Sequence, residues 1–326
     1  MAGLTHTAFR RLVRELGAGG LLTTEMLSAR SLPREDRAHS PYLRRTPSER
    51  PLSYQLLVAD PAEVAPALDV LHAEGADACD LNMGCPAPQA RRRGGGSRLM
   101  ERPDVARAIV AEARRRTGLP LTAKIRLGER LEEAPLREFC CMLEAEGIDL
   151  VTVHARLRGE PYGRRPRWDW AGKVKQWLRV PVVANGGVFD ETDAQRCLAA
   201  SSCDGIMVGR GAAVRPWFLA DVAAALRGET PAAPPALPAV YQRFAVLLGE
   251  SFAPERRLGR LKEFTRYFAQ SYAFGHTLTS AIQASRSLGE ALDRAQAFFA
   301  AEEGSGAPWI AGDRAVAAAS PGSPDP

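Results

Sequence analysis

Asp80-Leu81-Asn82-Met83-Gly84-Cys85-Pro86 is an apolar run that contains an acid and an amide and ends in a turn with one cysteine. A basic, glycine-rich loop follows at Arg91-Arg92-Arg93-Gly94-Gly95-Gly96-Ser97. A lone thiol on the loop after a buried strand is a candidate acid or nucleophile. The arginines beside it suggest a substrate rich in phosphate.

Six further short apolar runs are similar to this strand, and amphipathic stretches separate them. Strands are predicted at residues 20–24, 52–58, 78–83, 121–126, 150–155, 181–184 and 205–208. Strands that alternate with helices pair in parallel through right-handed crossovers. We therefore expect an α/β fold, a (β/α)8 TIM barrel, although only seven of its eight strands are found. The first strand is the missing one, because loop-like residues 1–5 lead directly into a helix at 7–16; either the barrel is open there or the true start lies upstream.

The bulk composition is that of an ordinary globular protein. Of the 326 residues, 45% are hydrophobic and 25% are charged, and 43 Lys and Arg against 38 Asp and Glu give a net charge of +5. No stretch approaches about 18 consecutive apolar residues, so no membrane span is expected. Six cysteines without a CxxC pair argue against a metal site and a disulfide framework, and indicate a reducing cytoplasm.

The pattern of alternating elements changes after the seventh strand. Residues 1–230 are predicted as the barrel, and a connector rich in Pro and Ala follows at 231–238. Helical patterns at 237–248, 255–272 and 277–299 predict an all-helical domain at 237–300. Residues 304–326 are rich in Gly, Ser, Pro and Ala, which predicts a disordered tail.

Polar or glycine-rich residues stand at the ends of most predicted strands, where TIM barrels place their active sites. In chain order these are Gln55, Asn82 with Cys85, Lys124 with Arg126, His154 with Arg156, Asn185-Gly186-Gly187 and Gly209-Arg210-Gly211. The last two follow the strands whose loops commonly bind phosphate through backbone N–H groups. Together they predict a polar cavity on one rim.

Each of these residues also has a plain structural explanation. Cys85 is either a proton donor or a loop cysteine, and Lys124 either meets a ligand or forms a buried ion pair. His154 is either a ligand contact or a core histidine. The arginines after the strand ends either form a positive mouth for a polyanion or lie on a solvated loop.

Taken in order, these segments resemble the tRNA-dihydrouridine synthase family of flavoenzymes, from Met1 to about Trp217 and more weakly beyond. The segments that carry the resemblance are Met1-Ala2-Gly3-Leu4-Thr5, Thr24-Glu25-Met26, Leu81-Asn82-Met83-Gly84-Cys85-Pro86, Lys124-Ile125-Arg126-Leu127-Gly128, His154-Ala155-Arg156, Ala184-Asn185-Gly186 and Gly209-Arg210-Gly211-Ala212. The glycine-rich loop and Trp168-Asp169-Trp170 resemble the bacterial C-type branch. The chain departs from the family's pattern at Gly187, where an acid is usual, and at Ala155, where Gly is usual.

The resemblance implies FMN on the barrel rim, NADPH as reductant and tRNA as substrate. Reduced flavin then passes a hydride to C6 of a uracil in the D-loop, and Cys85 protonates C5 as the general acid. The implied cofactor contacts are Met1, Ala2, Gln55, Lys124, His154, Asn185, Gly186, Gly187, Gly209 and Arg210. The residues assigned to the substrate are Asn82, Arg91, Arg92, Arg93 and Arg156.

The helical domain is expected to grip the folded tRNA by its shape and phosphates. We expect a monomer. Two other functions stay open at this point. One is an FMN barrel that reduces a small molecule, and the other is an inactive, truncated tRNA-binding homologue.

Overall fold

A parallel β-sheet of seven strands forms the centre of the molecule, for which the computed structural model describes residues 1–37 and 39–305. The strands hydrogen-bond to one another in chain order. They are β1 (Leu22–Ser28), β2 (Leu52–Leu57), β3 (Ala78–Met83), β4 (Leu121–Arg126), β5 (Leu150–His154), β6 (Val182–Asn185) and β7 (Gly205–Met207). This order and the parallel pairing confirm the predicted α/β barrel architecture, with seven strands among the described residues.

Helices connect the strands and cover the outside of the sheet. They are α1 (Thr7–Glu15), α2 (Val64–Ala73), α3 (Pro88–Arg92), α4 (Pro103–Arg116), α5 (Glu133–Ala145), α6 (Trp168–Trp177), α7 (Glu191–Ser201), α8 (Arg210–Val214) and α9 (Phe218–Leu226). In α4, Ala106, Ile109, Val110 and Ala113 recur at helical spacing and are fully buried. The three arginines that end α4 complement the negative end of its dipole.

The open side of the sheet lies between β1 and β7, and the first residues of the chain sit at its rim. The Gly3 N–H donates a 2.7 Å hydrogen bond to Oε2 of Glu25 on β1. A side chain at Gly209, just after β7, would lie 3.6 Å from the sulfur of Met1. Residues 1–3 therefore bridge the two edge strands where the active sites of such barrels lie.

Four helices follow the barrel, namely α10 (Leu237–Ser251), α11 (Pro254–Phe268), α12 (Gly275–Ala284) and α13 (Leu288–Ser305). Their core is aromatic: the Phe264 ring lies 4.0 Å from that of Phe244 and 5.1 Å from that of Phe268. Helix α10 packs against α1, and Arg243 pairs with Glu15 at 2.7 Å across that contact. No helix among the described residues is long and apolar enough to cross a membrane.

Several predicted boundaries differ from those of the structure. Strand β1 begins at Leu22, after a turn in which Gly20 has φ +50°, and it runs on to Ser28 through polar residues that obscure the strand pattern. The helix predicted at 277–299 is two helices, because Ser285 is extended and Ser287 Oγ accepts a hydrogen bond from the Glu290 N–H. Helix α13 includes the first two residues of the predicted tail, and residues 306–326 lie outside the described residues.

Candidate active site

The carboxyl ends of the strands place the predicted site residues side by side. Asn82 on β3 is the register partner of Lys124 on β4. At the end of β4, Arg126 lies opposite His154 on β5, which in turn lies opposite Asn185 on β6. Because neighbouring strands are about 4.8 Å apart, these side chains share one mouth of the barrel.

A buried hydrogen-bond network fixes the side chains on β2 and β3. Asn82 Nδ2 donates to Gln55 Oε1 at 2.8 Å, and Gln55 Nε2 donates to Asp80 Oδ2 at 2.8 Å. The hydroxyl of Thr122 donates to the other oxygen of Asp80. Burial raises the pKa of Asp80, although these hydrogen bonds and the nearby Lys124 oppose the shift. Sequence reasoning noticed Asp80 as an acid in an apolar run but did not assign it to the site.

The turn that presents Cys85 is held by Asn82. Oδ1 of Asn82 accepts hydrogen bonds from the N–H groups of Cys85 at 2.9 Å and Gly84 at 3.2 Å. Arg126 is buried and donates from Nε to the Gly84 carbonyl at 3.0 Å. Cys85 itself is half-buried and free. The thiol thus stands on a fixed backbone beside the mouth of the barrel.

The glycine-rich loop supports this turn from behind. The Ser97 N–H donates to the Cys85 carbonyl at 2.9 Å. Gly96 has φ +58°, and a side chain there would meet the Cys85 carbonyl oxygen at 2.6 Å. A Cβ at Gly95 would likewise meet the Val58 carbonyl at 2.8 Å. These glycines let the loop pack closely against Cys85, which the sequence analysis did not foresee.

Lys124 is a cation inside the barrel mouth without a fixed partner. None of the described residues forms a hydrogen bond or an ion pair with its Nζ. Burial lowers the pKa of Lys124 to about 8; Asp80 opposes this shift, Arg126 adds to it and Cys85 opposes it. A half-buried cation without a partner is costly, which is the expected condition of a group that meets an anionic or carbonyl ligand.

His154 is held neutral at the end of β5. Arg156 Nη1 lies 3.0 Å from His154 Nε2, and because a guanidinium only donates, Nε2 accepts and Nδ1 carries the proton. Burial first, and then the cations Lys124 and Arg126, lower the pKa of His154 to about 2. The Tyr162 ring stacks on the imidazole, with 6.0 Å between the ring centroids.

Arg156 is not the surface contact that the sequence led us to expect. Its side chain is 2% exposed, and it donates to the carbonyl oxygens of Arg164 and Tyr162 as well as to His154. A side chain at Gly186 would meet Arg156 Nη1 at 2.7 Å. The guanidinium therefore orders the loop after β5 from within, because its donors are used by the protein.

The two glycine-rich loops after β6 and β7 leave backbone donors free. Gly186 and Gly187 have φ of +107° and +72°. No described residue accepts a hydrogen bond from the N–H groups of Gly186, Gly187 or Gly209. Asn185 donates to the Met207 carbonyl at 2.7 Å, which ties the two loops together. The Arg210 guanidinium lies 4.8 Å from the centre of the Tyr162 ring, at the edge of the same mouth.

The N-terminal residues complete the rim. The Met1 amino group donates to Thr5 Oγ1 at 2.9 Å, and Ala2 is exposed. From α11, Arg260 donates to the Gly3 carbonyl at 3.2 Å. Sequence reasoning missed both Glu25 and Arg260 as the residues that hold this segment in place.

The basic run after Cys85 divides into paired and free arginines. Arg91 pairs with Glu101 at 2.6 Å. Arg92 and Arg93 are exposed, and neither forms an ion pair with another described residue. The structure therefore leaves Arg92 and Arg93 available to a polyanion.

Two solved structures with the same fold superpose on most of this chain. A 2-naphthoyl-CoA reductase has a TM-score of 0.53 at 12% identity and covers 69% of this chain and 47% of its own. A histamine dehydrogenase from Rhizobium sp. 4-9 has a TM-score of 0.52 at 13% identity and covers 74% and 46%. These likenesses show the fold alone.

Comparisons of sequence go further. A "Probable tRNA-dihydrouridine synthase 1" of Synechocystis sp. is 38% identical over 228 residues, which is 68% of this chain and 62% of that protein. A "Probable tRNA-dihydrouridine synthase" of Mycobacterium leprae is 32% identical over 89% of this chain and 84% of its own. "tRNA-dihydrouridine synthase B" of Escherichia coli is 35% identical over 68% of this chain and 69% of its own. The resemblance to the bacterial C-type branch of the family stays a prediction.

The family model described as dihydrouridine synthase (Dus) matches residues 1–303. That match spans the barrel, the rim residues around Cys85 and the helices that follow. The chain belongs to the dihydrouridine synthase (Dus) family.

Proposed function

We propose that this protein reduces uridines in the D-loop of tRNA to 5,6-dihydrouridine, with bound FMN, NADPH as reductant and Cys85 as the general acid. One observation carries the proposal. The turn of Cys85 is locked to Asn82, whose register partner is the unpaired Lys124. A proton donor and an unsatisfied cation thus meet on one rim of a barrel that belongs to this family.

The described residues fit a flavin nucleotide. The free N–H groups of Gly186, Gly187 and Gly209, with Arg210 close by, suit its phosphate. Lys124 offers a positive charge inside the mouth. The residues that would hold the cofactor are Met1, Ala2, Gln55, Lys124, His154, Asn185, Gly186, Gly187, Gly209 and Arg210. When bound, FMN supplies the hydride that adds to C6 of the uracil.

The proton for C5 comes from the Cys85 thiol. A thiol can act as a general acid when it is positioned beside the atom that takes up its proton. Addition of a hydride at C6 and a proton at C5 reduces the C5=C6 bond, while NADPH becomes NADP⁺. Solvent then returns a proton to the thiolate. This role needs a fixed thiol, and the Cys85 backbone is held by its N–H, which donates to Asn82, and by its carbonyl, which accepts from Ser97.

Polar groups beside the thiol orient the base. His154 is neutral, and its Nδ1 carries a proton that can be donated to a carbonyl oxygen. Asn82 lies within the Cys85 turn, and Tyr162 stacks on His154. The target base has to leave its stack to reach this depth, as in other enzymes that modify bases.

The exposed basic residues and the helices at 237–300 bind the tRNA. Arg92 and Arg93 present free charge next to the Cys85 turn. The helical region connects to the rim through Arg260 and Gly3. We place the reaction in the cytoplasm and expect the protein to act as a monomer.

The experiment that tests this function reconstitutes the reaction. Purified protein with FMN and NADPH is incubated with an unmodified tRNA transcript, and dihydrouridine is mapped by mass spectrometry. We expect a gain of two hydrogens at D-loop uridines. Binding of tRNA by a protein that takes up no flavin would support the inactive homologue, and reduction of small enones or free pyrimidines without any effect on tRNA would support the small-molecule enzyme.

A further inference from the structure

A cavity of about 390 Å³ lies next to the barrel mouth, between the loops that follow β3, β4 and β5. Its floor is apolar and includes Met100, Leu136 and the ring of Phe139. The volume falls in the range of small-ligand pockets and is large enough for one nucleobase with its sugar. None of the residues assigned to FMN lines it.

The cavity shares two wall residues with the Cys85 turn. Ser97 lines it, and the Ser97 N–H holds the Cys85 carbonyl at 2.9 Å. Arg126 also lines it, and its Nε holds the Gly84 carbonyl at 3.0 Å. A group bound in this cavity lies against the side of the Cys85 turn that Ser97 and Arg126 contact.

Three arginines and three glutamates line the cavity, and Glu101 is also paired with Arg91 and Arg98 outside the lining. The charged lining residues are Arg126, Arg130, Arg158, Glu101, Glu129 and Glu132. Arg158 pairs with Glu129, while neither Arg130 nor Glu132 forms an ion pair with another described residue. An apolar floor, lined by equal numbers of positive and negative side chains, suits a neutral heterocycle, whose edge can meet both a guanidinium and a carboxylate. It does not suit the phosphates of a nicotinamide dinucleotide.

We propose that this cavity binds the base of a nucleotide adjacent to the target uridine in the RNA strand. The proposal rests on the proposed function and adds a second, specificity-determining subsite to it. A strand whose target base enters the barrel mouth passes over the Cys85 turn. The next base, once unstacked, can then insert between the loops and be held against the apolar floor.

The test fills the cavity with a large side chain and measures which nucleotide no longer contributes to RNA binding. Met100→Trp places a large ring on the floor, and Pro135→Trp covers the cavity from an exposed position in the first turn of α5. Glu138→Trp, on the exposed side of α5, is the matched control. Each holoprotein is titrated with a tRNA transcript and with transcripts that contain one abasic site at successive D-loop positions.

For the unaltered protein, we expect one abasic position beside the target to weaken binding about tenfold, as the loss of one stacked base does. Both filling variants should bind the intact transcript about tenfold more weakly and show no further loss at that position. Glu138→Trp should behave as the unaltered protein. If Met100→Trp does not fold, Pro135→Trp decides alone.

Retention of the abasic penalty in the filled variants would overturn the proposal. So would unchanged RNA binding together with a slower reduction by NADPH, which would assign the cavity to the reductant. Failure of the proposed function looks different, because no dihydrouridine then forms whatever the pattern of RNA binding.

Discussion

The N–H of Cys85 donates a 2.9 Å hydrogen bond to Oδ1 of Asn82, a residue inside strand β3. The Asn82 amide is itself held by Gln55 on β2 at 2.8 Å. The position of the thiol is therefore set by the sheet, since a strand side chain and not a loop residue closes the turn. Several consequences for activity depend on this arrangement.

Replacement of Asn82 should displace the Cys85 thiol without removing it. Asn82→Ala removes the acceptor of the Gly84 and Cys85 N–H groups, so we expect a loss of about 1–3 kcal/mol in the free energy of unfolding. The rate of dihydrouridine formation should fall at least tenfold. Asn82→Asp keeps an acceptor for the turn and should retain more activity than Asn82→Ala. Single-turnover assays with pre-reduced enzyme compare the two, and equal activities would contradict the role of Oδ1.

The close approach of the glycine-rich loop gives a second prediction. Gly96→Ala adds a Cβ 2.6 Å from the Cys85 carbonyl oxygen, at φ +58°. We expect a loss of about 1–3 kcal/mol in stability and a larger loss of activity than of flavin binding. Gly118→Ala is the matched control, because its Cβ meets nothing within 4 Å. Denaturant unfolding with activity assays measures both; equal effects of the two substitutions would contradict the packing argument.

Lys124 should lower the stability of the flavin-free protein and strengthen the binding of FMN. Burial lowers its pKa from 10.5 to about 8 in the folded state. The charged form is thus disfavoured by folding, by roughly 3 kcal/mol at most, at about 1.4 kcal/mol per pKa unit. This cost is fully present below about pH 8 and is relieved as the pH rises from 8 to 10.5. Lys124→Met should therefore raise the melting temperature of the flavin-free protein at pH 7 and have little effect above pH 10.5.

The same substitution should weaken FMN binding, measured by quenching of flavin fluorescence. The charge on Lys124 is lost above about pH 8, so the affinity of the unaltered protein should also fall there. The affinity of Lys124→Met should show no such step. A lower melting temperature for Lys124→Met at pH 7, or an unchanged affinity for FMN, would contradict this account of Lys124.

His154 should stay neutral across the working range of the enzyme. Its pKa is lowered to about 2 by burial and by the surrounding cations. The nitrogen chemical shifts of its ring should not change between pH 5 and 8, with Nδ1 protonated. Arg156→Ala removes one of the cations and should raise the pKa of His154. A titration of His154 near pH 6.5 in the unaltered protein would contradict the assignment.

Much of the fold follows from the sequence, because parallel strands are short apolar runs and their ends are easy to identify. Asn82, Lys124, His154 and Asn185 were predicted on one rim, and the register pairs place them there. Strand β1 was misplaced because its polar residues obscure the strand pattern. These polar residues serve tertiary contacts, as Glu25 does with Gly3.

The contacts between distant loops could not be predicted from the sequence. Arg156 is predicted to face the substrate because it follows the end of a strand, but its guanidinium donates to the loop carbonyls of Tyr162 and Arg164. The glycine-rich loop reads as a basic, substrate-facing segment, and only the three-dimensional structure shows that Gly96 supports Cys85. Composition and spacing carry no information on which carbonyl a side chain will meet.

The most direct test of the central claim is a comparison of Cys85→Ala with Cys141→Ala, the latter at another half-buried cysteine. Each variant is loaded with FMN, reduced by NADPH and mixed with unmodified tRNA, and both NADPH consumption and dihydrouridine are measured. We predict that Cys85→Ala keeps FMN and oxidises NADPH but forms no dihydrouridine, while Cys141→Ala forms it at the normal rate. Formation of dihydrouridine by Cys85→Ala at the normal rate would contradict the assignment of Cys85 as the proton donor.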